Sequence, residues 1–366
     1  MNMDTFFCEF TFHPGKIRRF IFVAFLICYA SMHGLSYCQS VKPTNNAHRD
    51  GRAVIAFGGD VMVPENVGKA RAAAFLSGLA PVFSQADAAF VNLEGPIGGD
   101  PTDTKKCKTE DCYILHQSPW IAESLAHIGV KVVSVANNHA EDMGKSGMAS
   151  TDAALAKVGI IAAGRFTHKT AVLEIGGMRI AFLGFASFSG VPDLRNRDSA
   201  IAQIRDAKAK YDAVVVSMHA GCEGDVASVI PDGEERCFGE NRGNTRGFAR
   251  AAAEAGATIV VGHGPHVLRG WENWNGVPIF YSLGNLATGA GIRVVGKSAL
   301  APVLMATFER NQDGTVKVTS FEIVSFKQAY GTGPRLDPEG AAKKEMMALS
   351  EKLIQSPSLS SPDQPR

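Results

Sequence analysis

Short apolar segments alternate with amphipathic segments along most of the chain, and this alternation constrains the fold more than any other feature. The apolar segments are rich in β-branched residues and have the length of strands, whereas the amphipathic segments have the length of helices. Strands are predicted at 53–58, 87–92, 131–136, 160–162, 213–217, 258–261 and 278–282, with helices at 70–79, 119–128, 147–158, 199–211 and 247–255. This order predicts an α/β fold with a substantially parallel sheet.

Two hairpins add antiparallel strands to this pattern. Segments 171–175 and 179–185 flank the turn Gly176-Gly177, and segments 303–309 and 316–326 flank a turn at 311–314. Glycine pairs and Asn/Gly turns are typical of tight hairpin connections. We therefore expect a sandwich of two mixed sheets with helices outside.

The N-terminal region has the features of an export signal. Lys16, Arg18 and Arg19 precede the apolar run 20–30, a pattern typical of a secretory signal peptide over residues 1–38. The run is shorter than the roughly 20 residues that a membrane span needs, and an uncleaved anchor is the alternative. We expect a polar linker at 39–51, a folded domain at 52–335, and a C-terminal helix with a disordered tail at 336–366. The protein is thus expected in the periplasm or another extracytoplasmic compartment, with anchoring through its N-terminus as the alternative.

Four cysteines lie beyond this leader, namely Cys107, Cys112, Cys222 and Cys237. Two short-range disulfides would suit an oxidising compartment, although four cysteines allow three connectivities and the sequence does not choose among them. A zinc cluster is the competing interpretation, but the spacings C-x4-C and C-x14-C differ from the usual C-x2-C knuckles.

The overall charge gives no indication of a nucleic-acid partner. The formal net charge is +1, and 45% of the residues are hydrophobic, which is ordinary for a chain with a sizeable core. An anionic partner would therefore have to be bound by a local site and not by a basic surface.

Polar residues follow six of the predicted strands at the point where each strand ends. Ligands of open α/β sheets bind outside these carboxyl ends. Taken singly, each residue is explained by a turn, a helix cap or an ordinary polar contact, but all six loops together predict a polar site. The residues are Asp60; Asn92 and Glu94; Asn137, Asn138, His139 and Asp142; His219 and Glu223; His263 and His266; and Asn285.

The residue types indicate the chemistry. Oxygen and nitrogen ligands without thiolate favour Mn, Fe, Zn or a similar divalent ion. Two such ions about 3.5–4 Å apart would hold a phosphoryl group, and Asp60 or Glu94 could bridge them. A histidine that binds no metal, such as His139, could protonate the leaving oxygen. Asp142 could orient that imidazole or cap the helix that follows.

Six motifs occur in a specific order between residues 54 and 285. They are GD-x-M, N-L-E, A-N-N-H-x-x-D-x-G, H-x-G-x-E, G-H-x-P-H-V and Y-S-L-G-N. In this order they resemble the CapA family of poly-γ-glutamate capsule synthesis proteins, which is similar in fold to the calcineurin-like metallophosphoesterases.

The resemblance implies a four-layer α/β/β/α sandwich, one or two divalent metal ions, and export or membrane association. It also implies a role in making or handling an anionic extracellular polymer. Carried over by position, it assigns the metal to Asp60, Glu94, Asn138, His219, His263 and His266, and catalysis to His139 with Asp142. The other polar residues of these loops, Asn92, Asn137, Glu223 and Asn285, are candidates for substrate contact.

Two departures from the superfamily pattern separate the hypotheses. Met62 stands where an Asp-x-His motif has its histidine, and N-L-E replaces the usual second aspartate, so one metal site loses a typical ligand.

The leading hypothesis is a phosphoesterase-like hydrolase acting on an anionic polymer or its phosphorylated precursor. The alternative is a non-catalytic polymer-binding or scaffold subunit that works with membrane subunits of capsule synthesis. A third class is an esterase or peptidase.

Overall fold

The structure is a computed structural model that describes residues 50–107, 112–167, 170–289 and 294–355. The predicted leader at 1–38, all but the last two residues of the linker and the tail beyond residue 355 lie outside these ranges. Within them, no helix combines the length and the apolar character that crossing a bilayer requires.

The strands of the described residues are β1 (Arg52–Met62), β2 (Ala88–Leu93), β3 (Val130–Ser134), β4 (Ile161–Ala163), β5 (Thr170–Ile175), β6 (Met178–Ala186), β7 (Ala213–His219), β8 (Glu235–Cys237), β9 (Glu240–Gly243), β10 (Ile259–His263), β11 (Trp271–Trp274), β12 (Val277–Phe280), β13 (Asn285–Thr288), β14 (Leu300–Arg310), β15 (Val316–Ala329) and β16 (Gly333–Leu336). The α-helices are α1 (Lys69–Leu76), α2 (Ala80–Phe83), α3 (Ile121–His127), α4 (Gly144–Lys157), α5 (Arg197–Lys210), α6 (Thr245–Glu254) and α7 (Ala341–Gln355).

Two mixed sheets form the centre of the fold. The first has the order β16-β15-β14-β1-β2-β3-β4, with β13 also paired to β1, and the second has the order β11-β12-β10-β7-β6-β5. Strands β1 to β4 are parallel, as are β6, β7, β10 and β12. The predicted hairpins are the antiparallel pairs β5–β6 and β14–β15.

The hydrophobic side chains form three layers of core. One lies between the two sheets, where Phe57, Phe90 and Phe182 pack in a row with ring centroids 5.8 Å apart at each step. A second lies between the first sheet and helices α1 to α4, and a third between the second sheet and helices α5 and α6. The expected four-layer α/β/β/α sandwich of two mixed sheets is therefore confirmed.

The burial of each strand follows its place in the sheet. Strand β7, with the sequence AVVVSMH, is buried along its whole length, as a parallel strand covered on both faces must be. Strand β15 mixes buried and exposed residues because it lies near the edge of its sheet. On α5, Ala200, Ile204 and Ala207 are buried, a spacing that places them on one helix face.

The chain crosses between the two sheets at a point that sequence patterns did not predict. Strand β12 pairs with β10 in the second sheet, whereas β13 pairs with β1 in the first. Asn285, expected in a loop, begins β13 and lies opposite Asp60 of β1. This crossing brings the carboxyl ends of strands from both sheets to one place.

Candidate functional site

Acidic and histidine side chains from both sheets meet at the carboxyl ends of their strands. In the first sheet, Asp60 of β1 lies beside Asn92 of β2. In the second sheet, His219 at the end of β7 lies beside His263 at the end of β10. Because neighbouring parallel strands end at the same edge of a sheet, the side chains at their ends and in the loops that follow lie close together.

Five residues form a compact cluster that we call the cage, namely Asp60, Glu94, His219, His263 and His266. The Nδ1 atoms of His263 and His266 each lie 3.4 Å from an oxygen of Asp60. Oε1 of Glu94 lies 3.6 Å from Nε2 of His266 and 3.9 Å from Nε2 of His219. Both carboxylates are fully buried. Donor atoms of Asp60, Glu94 and His266 all lie within 4.8 Å of one another, close enough to share one cation.

Many polar atoms of the cage lack a hydrogen-bond partner among the residues that the structure describes. These atoms are Oδ2 of Asp60, both carboxylate oxygens of Glu94, Nε2 of His219 and both ring nitrogens of His263. Oδ1 of Asn138, on the neighbouring loop, is in the same condition. Leaving buried polar atoms unpaired costs free energy, so native structures rarely do it without a reason. Carboxylate oxygens and imidazole nitrogens around one centre are a donor set that fits a divalent cation such as Mn, Fe or Zn.

The charges within the cage shift the pKa of its members in a consistent way. Burial raises the pKa of Glu94 to about 8, with Asp60 adding to the rise and His266 opposing it. Burial works against protonation of His266, but Glu94 and Asp60 outweigh it and raise its pKa to about 10. Burial likewise opposes ionisation of Asp60, yet the contacts with His263 and His266 hold its pKa below the usual range. Protons thus balance the carboxylate charge, a task that a cation would perform in their place.

His266 is oriented by Asn285. The Nδ2 group of Asn285 donates to the backbone oxygens of His266 and Ser298, each at 3.1 Å. Its Oδ1 atom is therefore an acceptor, and Nδ1 of His266 lies 3.0 Å from it as the donor. With Nδ1 carrying a proton, Nε2 presents its lone pair toward Glu94 when the ring is neutral. Metal-binding histidines are commonly oriented in this way through their other nitrogen.

The turn between His263 and His266 requires unusual backbone conformations. His266 has φ 57°, a left-handed conformation that is uncommon outside glycine. Gly264 has φ 107°, and a Cβ atom there would come within 3.2 Å of Nε2 of His219. Glycine at this position therefore leaves room for the His219 ring beside the turn. Strained residues of this kind gather at functional sites.

The asparagines of the site hold neighbouring groups in place. Asn92 is fully buried; its Nδ2 atom donates to Oδ1 of Asp60 at 2.8 Å and lies 3.3 Å from Nδ1 of His219. Asn137 donates to the backbone oxygen of Leu93 at 2.9 Å and accepts from the backbone N–H of His139. Asn92 and Asn285 thus contact cage residues, whereas Asn137 contacts residues beside the cage. The predicted contact of all three with a substrate stays a prediction.

His139 lies at the border of the cage and forms a dyad with Asp142. Its Nδ1 atom is 2.6 Å from Oδ2 of Asp142, and its Nε2 atom is 4.0 Å from Oε1 of Glu94. Asp142 also accepts from the backbone N–H of Leu115 at 2.6 Å and contacts Nζ of Lys105 at 2.6 Å. Helix α4 begins two residues later without a side-chain cap, so of the two predicted contacts of Asp142 the structure contains the one with His139. Burial lowers the pKa of His139, and Asp142 partly offsets this.

A cleft opens from the cage to the surface, and both disulfides lie at its margins. Glu223 and His139 line the cleft. Cys107 is bonded to Cys112, and Cys222 to Cys237, which are the two local pairs among the three connectivities that the sequence left open. The sequence did not identify Lys105 and Arg242, two basic residues of the cleft wall. Only their position in the folded chain makes them part of the site.

A second buried polar group, which we call the Arg269 network, supports the loop closed by the second disulfide. The guanidinium of Arg269 is fully buried and donates to both carboxylate oxygens of Glu235 at 2.6 and 2.9 Å. It also donates to the backbone oxygen of Ala227 at 2.7 Å. Glu235 accepts further hydrogen bonds from Thr245 and from the backbone N–H of Cys222. No sequence motif pointed to this network, because its members lie far apart in the chain.

Comparison with known proteins now identifies the family. The model of the family described as "Bacterial capsule synthesis protein PGA_cap" matches residues 54–290, a span that contains the whole cage. The chain belongs to this family. It is 31% identical over 330 residues to the PGA biosynthesis protein CapA of Bacillus subtilis (strain 168), covering 84% of this chain and 82% of that protein. It is also 30% identical over 244 residues to the capsule biosynthesis protein CapA of Bacillus anthracis, covering 61% and 55% of the two chains.

The predicted resemblance to the capsule-synthesis family is thus confirmed. Among solved structures, the NAD nucleotidase of Haemophilus influenzae aligns with 86% of this chain and 65% of its own, at 11% identity and a TM-score of 0.39. A similarity this distant says nothing about the activity of this chain. The assignment of site residues in this member of the PGA_cap family therefore depends on the geometry of the cage.

Proposed function

We propose that the protein is an exported, metal-dependent hydrolase of the phosphoesterase type that acts in capsule biosynthesis. Its substrate would be an anionic polymer of the poly-γ-glutamate type or the phosphorylated precursor of one. The observation that supports this proposal is the set of buried cage atoms without hydrogen-bond partners among the described residues. Family membership supports the capsule role, because relatives of this chain are named for capsule and PGA biosynthesis.

The cage residues would hold one or two divalent ions. Asp60, Glu94 and His266 form the set whose donor atoms lie closest together, and His219 and His263 extend it. Asn138 offers its unpaired Oδ1 from the adjoining loop. A bound divalent ion supplies positive charge that polarises a phosphoryl group and acidifies water. Because thiolates are absent from this donor set, Mn, Fe and Zn are the candidates.

His139 would act as the general acid. Its Nδ1–H donates to Asp142, which fixes the ring and leaves Nε2 directed toward the cage. From this position Nε2 can deliver a proton to a leaving oxygen held at the cage, provided that the ring is first protonated. Nζ of Lys105 lies 2.6 Å from the second oxygen of Asp142, so this carboxylate contacts a lysine on one side and the imidazole on the other.

Metal analysis by mass spectrometry tests the proposal. We expect purified protein to contain stoichiometric Mn, Fe or Zn, and a variant with His263→Ala and His266→Ala to lose it. The metal-loaded wild type should then hydrolyse bis(p-nitrophenyl) phosphate, whereas the variant should not. Wild-type protein that stays free of metal even after loading would contradict the proposal.

One observation favours a second candidate, a non-catalytic polymer-binding or scaffold subunit that works with membrane subunits of capsule synthesis. Met62 stands where a metal-binding histidine is expected from superfamily pattern, and its side chain is buried. A thioether is a poor replacement for imidazole toward Mn or Zn. A His139→Ala variant that supports normal capsule formation in cells would favour this candidate over hydrolysis.

A further inference from the structure

The cleft beside the cage has two branches with different chemistry. One branch has a volume of about 410 Å³ and the other about 460 Å³, and both are lined by Tyr113, His139, Glu223 and Phe238. The first branch continues along Leu115, Val226, Val267 and Val295 and is mainly apolar. The second continues along charged residues. A substrate that binds the cage through one of its groups can therefore extend along either branch of the cleft.

Among the described residues, the charged branch has no lysine or arginine that is free to bind an anion. Among the described residues of the cleft wall, the lysine and arginine side chains are Lys105 and Arg242, and both are already paired. Lys105 contacts Asp142 at 2.6 Å. The guanidinium of Arg242 contacts Glu223 at 2.6 Å and Glu240 at 2.7 Å. Since each cation is matched by at least one carboxylate, the walls offer little attraction to further negative charge. Of the parts of the cleft that the structure describes, the cage is the one suited to hold a negatively charged group.

The apolar branch carries two exposed aromatic side chains. Tyr113 and Phe238 are each 60% exposed, and both line the cleft beside the cage. Phe238 also lies against the charged branch, with its ring centroid 5.6 Å from the guanidinium carbon of Arg242. Covering these rings with an apolar or planar group would remove them from water.

The tight turn around Phe238 and the disulfides beside both aromatic residues constrain the chain at these positions. Phe238 and Gly239 connect β8 to β9 with φ values of 55° and 73°, the pattern of a tight hairpin turn that asparagine or glycine usually fills. A phenylalanine in this conformation is strained, which indicates a benefit elsewhere. Each aromatic residue directly follows a disulfide-bonded cysteine, Tyr113 after Cys112 and Phe238 after Cys237. Each of the two disulfides thus lies directly before one aromatic residue of the same cleft.

We propose that Tyr113 and Phe238 form a subsite for an apolar substituent of the substrate. The preferred ligand would carry a single phosphoryl or phosphonyl group at the cage and an aryl or alkyl group between the two aromatic side chains. This inference deepens the proposed function and rests on its placement of a phosphoryl group at the cage. It favours a phosphorylated precursor with an apolar part over a long polyanionic chain as the group bound in the cleft.

Phosphonates test the subsite without turnover, because their C–P bond is not hydrolysed. We would titrate the Mn²⁺-loaded full chain with methylphosphonate, phenylphosphonate and hexylphosphonate by calorimetry. Burying a ring or an alkyl chain against two aromatic side chains should tighten binding about tenfold over methylphosphonate. The double variant Tyr113→Ala with Phe238→Ala should bind all three alike, and Phe238→Tyr should keep the preference. Preference for phenyl alone indicates a planar group, and preference for hexyl indicates a lipid-like chain.

Two exposed aromatic residues away from the cleft serve as matched controls. Phe166 is 58% exposed and Tyr330 is 72% exposed. The variants Phe166→Ala and Tyr330→Ala should leave the phosphonate preference unchanged. Equal affinity of the wild type for the three phosphonates, or binding of none, would overturn the subsite. A clear preference in a protein that hydrolyses no phosphoester would support the subsite and refute only the proposed hydrolysis.

Discussion

The cage and the Arg269 network are both buried polar groups, but they differ in how their hydrogen-bonding capacity is used. In the Arg269 network, the guanidinium and the carboxylate of Glu235 meet in a bidentate pair and bind further partners. In the cage, both oxygens of Glu94 and both ring nitrogens of His263 have no hydrogen-bond partner among the described residues. Burial alone therefore does not distinguish a structural group from a functional one.

The two groups differ in whether their buried polar atoms already have hydrogen-bond partners. A saturated network closes a loop and contributes rigidity, and removing one partner leaves an isolated buried charge. An unsaturated cluster keeps its capacity for a ligand and bears the cost of burying polar atoms that have no hydrogen-bond partner. The raised pKa of Glu94 and the lowered pKa of Glu235 express the same contrast. Burial outweighs the attraction of His266 at Glu94, whereas the hydrogen-bonded guanidinium of Arg269 outweighs burial at Glu235. Four predictions test this comparison, beginning with the largest effect.

The substitution Glu94→Gln should abolish function without weakening the fold. Loss of the carboxylate charge should remove bound metal and reduce phosphoester hydrolysis about 10³- to 10⁴-fold, because metal catalysis supplies several kcal/mol. Metal content and initial rates measure this. In chelator-treated protein, urea denaturation should show no loss of stability, since neither Glu94 oxygen has a hydrogen bond to break. If the free energy of unfolding of the metal-free variant were more than about 1 kcal/mol below that of the metal-free wild type, the contrast between the two regions would be contradicted.

The substitution Arg269→Ala should have the opposite effect to Glu94→Gln, because it should weaken the fold. Breaking a buried ion pair by removing one partner costs about 3–5 kcal/mol, so the free energy of unfolding should fall by that amount. Urea denaturation measures it, with Lys210→Ala as the control. Lys210 pairs with Asp206 on the surface, and its loss should cost at most about 0.5 kcal/mol. Equal losses in the two variants would show that the Arg269 network is not a structural support.

The substitution His139→Ala tests a residue that shares features of both regions. Its Nδ1 atom has a hydrogen-bond partner, as in the Arg269 network, and its Nε2 atom faces the cage. Removing a general acid should lower kcat about 10²-fold or more. Metal content should stay within the wild-type range, since the cage ligands remain. Steady-state kinetics and mass spectrometry on the same sample separate the two effects. A variant that loses metal in proportion to activity would make His139 a ligand and not an acid.

The two regions should also respond to pH in different windows. Glu94 and His266 have raised pKa values of about 8 and about 10, so a cation must displace protons from them. Metal affinity should therefore rise with pH below 8, up to about tenfold per unit for each proton released. Glu235 has a lowered pKa, although burial raises it, because Arg269 binds it. Its contribution to stability is complete above the ordinary carboxyl pKa and is lost as pH falls through the lowered value.

Calorimetric metal titrations at three pH values, together with acid denaturation of chelated protein, would measure both responses. Metal affinity that does not change between about pH 6 and 8 would mean that the cage carboxylate is already ionised. Acid denaturation that is identical in wild type and Glu235→Gln would mean that the Arg269 pair contributes little to stability.

Prediction from sequence was most successful where a feature depends on neighbouring residues. Most strands and helices followed from local hydrophobic patterns, whereas the short strands β8, β9, β11, β13 and β16 were not predicted. The polar residues of β1, β2, β3, β7 and β10 were found because each lies at the end of its strand or just beyond it, although Asp60, Asn92, His219 and His263 belong to the strands and not to the loops that were expected. The Arg269 network was not found, since its residues come from five separate elements and loops of ordinary composition. Tyr113 and Phe238 were missed as well, although the cysteine before each was a signal that could have drawn attention to them.

The sequence by itself determined the α/β architecture, the family and the set of residues that end their strands with a ligand-type side chain, because these are properties of short segments in order along the chain. Only the tertiary structure decided which of those side chains face one another. The crossing from β12 to β13 places Asn285 opposite Asp60, and it is this long-range pairing that orients His266. Likewise, whether a buried oxygen has a partner depends on atoms far away in sequence. Only the folded chain therefore shows which buried polar atoms have hydrogen-bond partners, and this is what distinguishes the structural Arg269 network from the cage.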